Sequence, residues 1–202
     1  MPAKDAFLAL LRDDWIPELR GFGFKGSGRR LYRNLGEVVH SVAVRTDKYG
    51  TRCCVELGVH PTFLPLTSGS PPAGAADVEP EASEFRRTLA APGQPDDSWA
   101  LDEGRSAAQR LAETFRAQGE PEFQRVRALR DLAALITLED LRRGWPVSPW
   151  YPYTPTRAAL TMARIHRQLG DQEASRAFAE AGLGLDDPRG LKEELGALAR
   201  AA

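Results

Sequence analysis

The side chains able to do chemistry near neutral pH are few in this chain. There are three histidines (His40, His60 and His166) and two adjacent cysteines, Cys53 and Cys54. Histidine is the cheapest acid–base group at physiological pH. A cysteine nucleophile needs a base within about 3 Å. One grouping approaches that pattern: Cys54, Glu56 and His60 alternate along a valine-rich segment. If the segment is a strand, the three share one face, with successive side chains about 7 Å apart. That spacing is too wide for proton transfer between neighbours, and no second cluster supplies an oxyanion hole or an orienting acid. An enzyme built on Cys54, Glu56 and His60 is therefore the second alternative, behind two binding functions. Strand alternation also turns Cys53 and Cys54 to opposite faces, so the two cannot ligate one zinc ion. No catalytic residue, metal site or cofactor is assigned. The glycines of Gly21–Gly28 lack the strand-before, helix-after context and the Lys-Ser/Thr of a phosphate loop, and read as a turn.

The remaining chemical feature is charge. Eight basic residues lie between Arg20 and Arg52 against only Glu37 and Asp47, a local excess of +6 in a chain of net charge −1. Such asymmetry steers acidic partners. Arg29, Arg30, Arg33, Arg45 and Arg52 are the expected partner-binding residues, on a basic sheet region that recognises an acidic protein surface. The same patch on nucleic acid is the first alternative, but only Tyr32 and Tyr49 interleave the cations as stacking platforms. The competing structural reading is a solvated sheet face whose charge is balanced in three dimensions by acidic segments.

The elements that would position these groups follow from periodicity. Leu8, Leu11, Trp15 and Leu19 make residues 3–20 an amphipathic helix that Pro17 should kink or break. Strands are expected at 29–35, 37–46 and 51–60. An Asp47–Gly50 turn would pair residues whose numbers sum to 97. Val38, His40, Val42 and Val44 then share an apolar face with Cys53, Val55, Leu57 and Val59. His40 is thus a hydrogen-bonded core histidine, whereas His60, ahead of Pro61, is expected at the surface. Residues 65–83 have the composition of a flexible loop. A further strand is expected at Glu84–Ala90. A helix should span 103–118 with Gly119 as its stop, and another should start at Pro121 and carry Phe123, Val126 and Leu129. Thr137 and Asp140 form a capping-box pattern. Three helices follow residue 154, the first holding His166 on an apolar stripe.

The resulting fold class is α+β: an antiparallel sheet of about four strands flanked by helices, with a C-terminal helical extension. The expected domains are an α+β body at 1–143, an aromatic, proline-rich linker at 144–155, and helices at 156–202 packed on the main domain. The linker's Trp145, Trp150, Tyr151 and Tyr153 are expected to bury against the protein itself. No stretch approaches the ~20 apolar residues of a membrane span, and no signal peptide is discernible. Adjacent cysteines do not make a disulfide framework, so a cytoplasmic location is expected. Arginine outnumbers lysine 23 to 4, as a GC-rich, bacterial genome would produce.

Several pieces together resemble the bacterial domain of unknown function 4304 family. They are Leu19-Arg20-Gly21-Phe22-Gly23-Phe24, then Leu31-Tyr32-Arg33, Val55-Glu56-Leu57-Gly58-Val59, Glu84-Phe85-Arg86-Arg87-Thr88-Leu89 and Ser98-Trp99-Ala100-Leu101. The resemblance covers roughly residues 5–130. It implies an antiparallel sheet flanked by helices, with no established activity and no catalytic residues to transfer. It also suggests an accessory role like that of small immunity proteins. Residues 170–188 look like half of a tetratricopeptide repeat; a single copy implies a helical hairpin rather than an array.

Overall fold

The computed structural model describes residues 7, 9–72, 74–93, 97–101, 105–143, 150, 154–186 and 190–200. The chain divides into two compact units, Met1–Val126 and Arg127–Ala202. The expected linker, 144–155, falls inside the second unit, and Trp145, Tyr151 and Tyr153 lie outside the described residues. Trp150 is buried.

The first unit is built on an antiparallel sheet: β1 (Lys25–Ser27), β2 (Arg30–Asn34), β3 (Val38–Thr46), β4 (Arg52–Pro61), β5 (Phe85–Thr88) and β6 (Trp99–Ala100). The order is β1-β2-β3-β4-β5, and β6 pairs with the opening residues of β4. The strand expected at 29–35 is β2; β1 lies in the glycine-rich segment read as a turn and pairs with it in a hairpin closed by Gly28 at φ +63° and Arg29.

The central register differs from expectation by two residues. Val38 pairs with Pro61 and Thr46 with Cys53, so partner numbers sum to 99. The connection is longer than four residues because Asp47 closes it. Its amide donates to the Arg52 carbonyl at 3.0 Å, and its carboxylate accepts from the Thr51 amide at 2.8 Å and hydroxyl at 2.7 Å. An even shift preserves side-chain parity. The apolar face is therefore the expected one: Val38, His40, Val42 and Val44 with Cys53, Val55, Leu57 and Val59, all buried.

Helices cover that face. Helix α1 (Ile16–Gly21) follows a π turn at Leu11–Trp15; α2 (Arg105–Thr114) runs through a π turn at Phe115–Gly119 into α3 (Glu120–Gln124). Gly119 does not stop a helix, contrary to expectation, and at Pro17 the helix is distorted rather than broken. In each case an i→i+5 bond, Ile16 N–H to Leu11 O and Glu120 N–H to Phe115 O, widens the turn just before the proline. The wider turn draws away the carbonyl that the proline ring would otherwise strike. The two turns meet: Trp15 and Phe115 make an edge contact at 5.5 Å and 77°. Gly119 is needed there, since a Cβ on it would lie 2.6 Å from the Phe115 ring.

The other sheet face is closed by the segment expected to be a flexible loop. It contains short 3₁₀ turns at Ala75–Asp77 and Pro80–Ala82, and Val78, Pro80 and Ser83 are buried. Gly58 makes the close approach possible. A Cβ there would sit 2.5 Å from Ser41 Oγ, 2.6 Å from Ser83 Oγ and 2.7 Å from Pro80 Cα. Composition suggested mobility; the sheet supplies the apolar surface that orders the segment.

The second unit is helical: α4 (Leu129–Ala133), α5 (Leu138–Arg142), α6 (Pro155–Gln168), α7 (Gln172–Leu183) and α8 (Lys192–Arg200). Thr137 and Asp140 form the expected capping box, and Thr154 and Asp171 cap α6 and α7. Gly182 lets the helices approach closely, since a Cβ on it would meet Ala159 at 2.8 Å and Leu195 at 2.9 Å. His166 stacks on Phe178 at 5.2 Å. No described helix is long and apolar enough to cross a membrane.

Candidate functional site

The structure sorts the five expected partner-binding arginines by what their guanidinium groups already hold. Arg33, on the helix-facing side of β2, is turned inward, with its side chain 10% exposed. It donates to Glu120 Oε1 at 2.9 Å, to the Phe22 carbonyl at 2.7 Å and to His40 Nδ1 at 3.0 Å, and lies 4.6 Å over the Phe24 ring. This corrects its expected surface position. A guanidinium carries five donors, and here the neighbouring carboxylate, carbonyl and imidazole outcompete water for them. Because Nδ1 accepts from Arg33, His40 carries its proton on Nε2 and donates it to the Val126 carbonyl at 2.8 Å. The imidazole stacks on Phe123 at 4.4 Å. His40 is therefore the core histidine that pleat alternation implies. Glu120, the partner of Arg33, and Val126, the partner of His40, could not be found from spacing, since they lie more than eighty residues away in sequence.

Arg45 and Arg30 lie on the opposite face. Arg45 bonds Glu56 Oε2 at 3.1 Å and pairs with Glu81, while Arg30 pairs with Glu79. Glu79 and Glu81 belong to the 3₁₀ segment, so chain remote from the basic run neutralises part of it. Arg52 Nη2 donates to the Ser98 carbonyl at 3.0 Å, which ties β4 to the approach to β6. Among the described residues the Arg29 guanidinium makes one long contact, 3.5 Å to Thr46 Oγ1.

Cations without a carboxylate partner, among the described residues, include Arg29 and Lys48. The antiparallel order brings them to one end of the sheet, because the β1–β2 and β3–β4 turns are adjacent there. At that end stands Tyr49, 75% exposed, with the Lys48 ammonium 4.7 Å from its ring. Asp47, the nearby acid, is committed to Thr51, and that bonding holds its carboxyl below the ordinary range. Lys48 and Tyr49 carry the sequence signal for this site, but adjacency in sequence does not reveal that the fold leaves both exposed at the sheet end with Arg29.

The Cys54–Glu56–His60 grouping does not assemble. Six residues along β4 separate Cys54 from His60 by about 20 Å. Glu56 is bonded to Arg45. His60 is buried rather than exposed: Nδ1 accepts from the Glu84 amide at 3.3 Å, and Nε2 donates to the Leu64 carbonyl at 3.0 Å. The turn after Pro61 folds back over it, which the sequence order His60-Pro61 does not reveal. Burial pushes the Cys53 thiol up to about 12; burial and the Glu56 charge also raise that of Cys54. Neither is an available thiolate near neutral pH. Among the described residues no three His, Cys, Asp or Glu side chains gather as metal ligands.

Fold and side-chain arrangement together define an α+β protein whose antiparallel sheet is tied to its helices by a buried Arg–Glu–His cluster. The chain belongs to the family described as Domain of unknown function (DUF4304), which it matches over residues 15–122. No curated protein and no solved structure matches it.

Proposed function

We propose that the protein is a non-enzymatic binding or accessory protein that recognises an acidic surface on a partner protein. An immunity-like role, holding a specific partner without altering it, fits that reading. The single observation behind it is the sheet end that carries an exposed Tyr49 together with Arg29 and Lys48, two cations without carboxylate partners among the described residues. Tyrosine and arginine are over-represented among residues that dominate protein interfaces, and unpaired rim cations accelerate association with acidic partners. Arg30, 60% exposed, is paired with Glu79 and adds no unpaired charge to this end. Arg33, Arg45 and Arg52 serve the fold and are not assigned to the interface. Since Cys54, Glu56 and His60 do not converge, with Glu56 held by Arg45 and His60 by Leu64 and Glu84, binding is the function this geometry favours over catalysis.

The test is affinity capture from the native host followed by mass spectrometry, with wild type beside Arg29→Glu/Lys48→Glu/Tyr49→Ala. A control carries the same charge change at Arg12 and Arg20, both exposed on the first helical segment. One or more proteins retained by wild type and control but lost by the triple variant support the reading. An unchanged set discards it. Capture of nucleic acid, with affinity falling steeply as salt rises, would move the assignment to the first alternative.

A further inference from the structure

The hydrogen bonds of His40 require a neutral imidazole. The side chain is buried on the helix-facing side of β3. Arginine carries donors and no acceptor, so the Arg33 Nη2 contact at 3.0 Å needs a bare lone pair on Nδ1. The Val126 carbonyl, 2.8 Å from Nε2, accepts the one ring proton. A second proton has one place to go, Nδ1, and there it meets a guanidinium. Two donors and two positive charges would then face each other in the interior, where screening is weak.

The charged groups packed about the ring are Arg33 from β2 and Glu120 from α3. Arg33 Nη1 holds the Glu120 carboxylate at 2.9 Å, so the guanidinium bridges carboxylate and ring. Glu120 therefore cannot accept from a protonated Nδ1 unless Arg33 moves away. On the other flank His40 is paired with Val59 of β4, which brings no charge. Further out in the helical layer, Glu122 pairs with Arg87 and Arg125, and Glu18 with Arg116. The same ring fastens the end of that layer. It stacks on Phe123 of α3 at 4.4 Å and 18° and bonds the carbonyl of Val126, just beyond the helix.

We propose that His40 is an acid-sensitive latch, whose protonation releases the Phe123–Val126 end of the helical layer from the sheet. Closed, the ring carries one proton. Opened, it is an ordinary histidine, which takes up a second proton below about pH 6.5. The open state then binds more protons than the closed one, so the latch holds fully above that pH and weakens as the pH falls through it. From about pH 7.5 to about pH 5 the opening equilibrium should rise about thirtyfold, the gain in proton uptake by a free histidine over that interval. The inference uses none of Arg29, Lys48 and Tyr49, so its failure leaves the proposed function standing.

The experiment is NMR of the full ¹⁵N-labelled chain over that pH range. Imidazole spectra report protonation. Amide exchange, corrected for the intrinsic rate at each pH, reports opening. In the folded protein His40 should keep the neutral pattern, with its proton on Nε2, to the lowest pH, while opening at the Phe123–Val126 amides rises about thirtyfold. In His40→Gln, whose amide keeps a donor and an acceptor but takes no charge, the rise should largely disappear. His60 and His166 are present in both proteins and cancel in the comparison. Should the variant fail to fold, the wild-type imidazole and exchange data decide alone. A charged His40 ring in the folded protein near pH 6, an equal rise in the folded variant, or a rise spread evenly over the β3 and β4 amides would each overturn the proposal.

Discussion

Replacing Arg33 by methionine tests whether this arginine belongs to the surface or to the core. The structure places its guanidinium against Glu120, the Phe22 carbonyl and His40 Nδ1, with the two charged side chains only 10% and 8% exposed. Methionine keeps much of the aliphatic stem and removes every donor. The Glu120 carboxylate is then left buried, with only the Gln124 amide beside Oε1, and its Oε2 has no partner in the wild type either. Breaking a buried pair from one side costs about 3–5 kcal/mol. That is a large fraction of the roughly 5–15 kcal/mol by which domains are stable. For a chain of this size it lowers Tm by roughly 6–20 °C. Urea denaturation followed by tryptophan fluorescence reads the change directly. The double variant Arg33→Met/Glu120→Leu should recover at least half of the loss, because the stranded charge is gone. A single-variant loss below about 1 kcal/mol, or a double variant worse than the sum of its parts, would refute the account and return Arg33 to the solvent-facing set.

Two further perturbations address the sheet and its thiols. Gly58→Ala should cost about 1–3 kcal/mol by overpacking, since the new methyl collides with Ser41, Ser83 and the Pro80 backbone; thermal denaturation at the wild-type midpoint would contradict the observed docking of the 3₁₀ segment. Cys53 and Cys54, both with raised pKa, should react with a disulfide reagent at pH 8 only slowly in the native protein and rapidly in denaturant. Prompt titration of two thiols in the native state would show that the strand face is open.

The local pattern of the sequence determined a good deal. Period-two alternation in β3 and β4 assigned every core valine and His40 to the right face, and did so despite a register two residues off, because parity survives an even slip. The Thr137–Asp140 capping box marked the start of α5. These are short-range regularities, written within one or two turns of chain. Tertiary structure decided the rest. Pro17 and Gly119 look like breaks until π turns bring Trp15 and Phe115 together. Residues 65–83 look mobile until Gly58 opens a seat for them on the sheet. Above all, eight basic residues close in sequence look like one patch. Glu120 draws Arg33 inward from one side, and Glu79 and Glu81 meet Arg30 and Arg45 from the other. A charge count along the chain says how many cations there are. Which of them still face solvent unpaired depends on carboxylates delivered by remote segments, and only the folded chain specifies that.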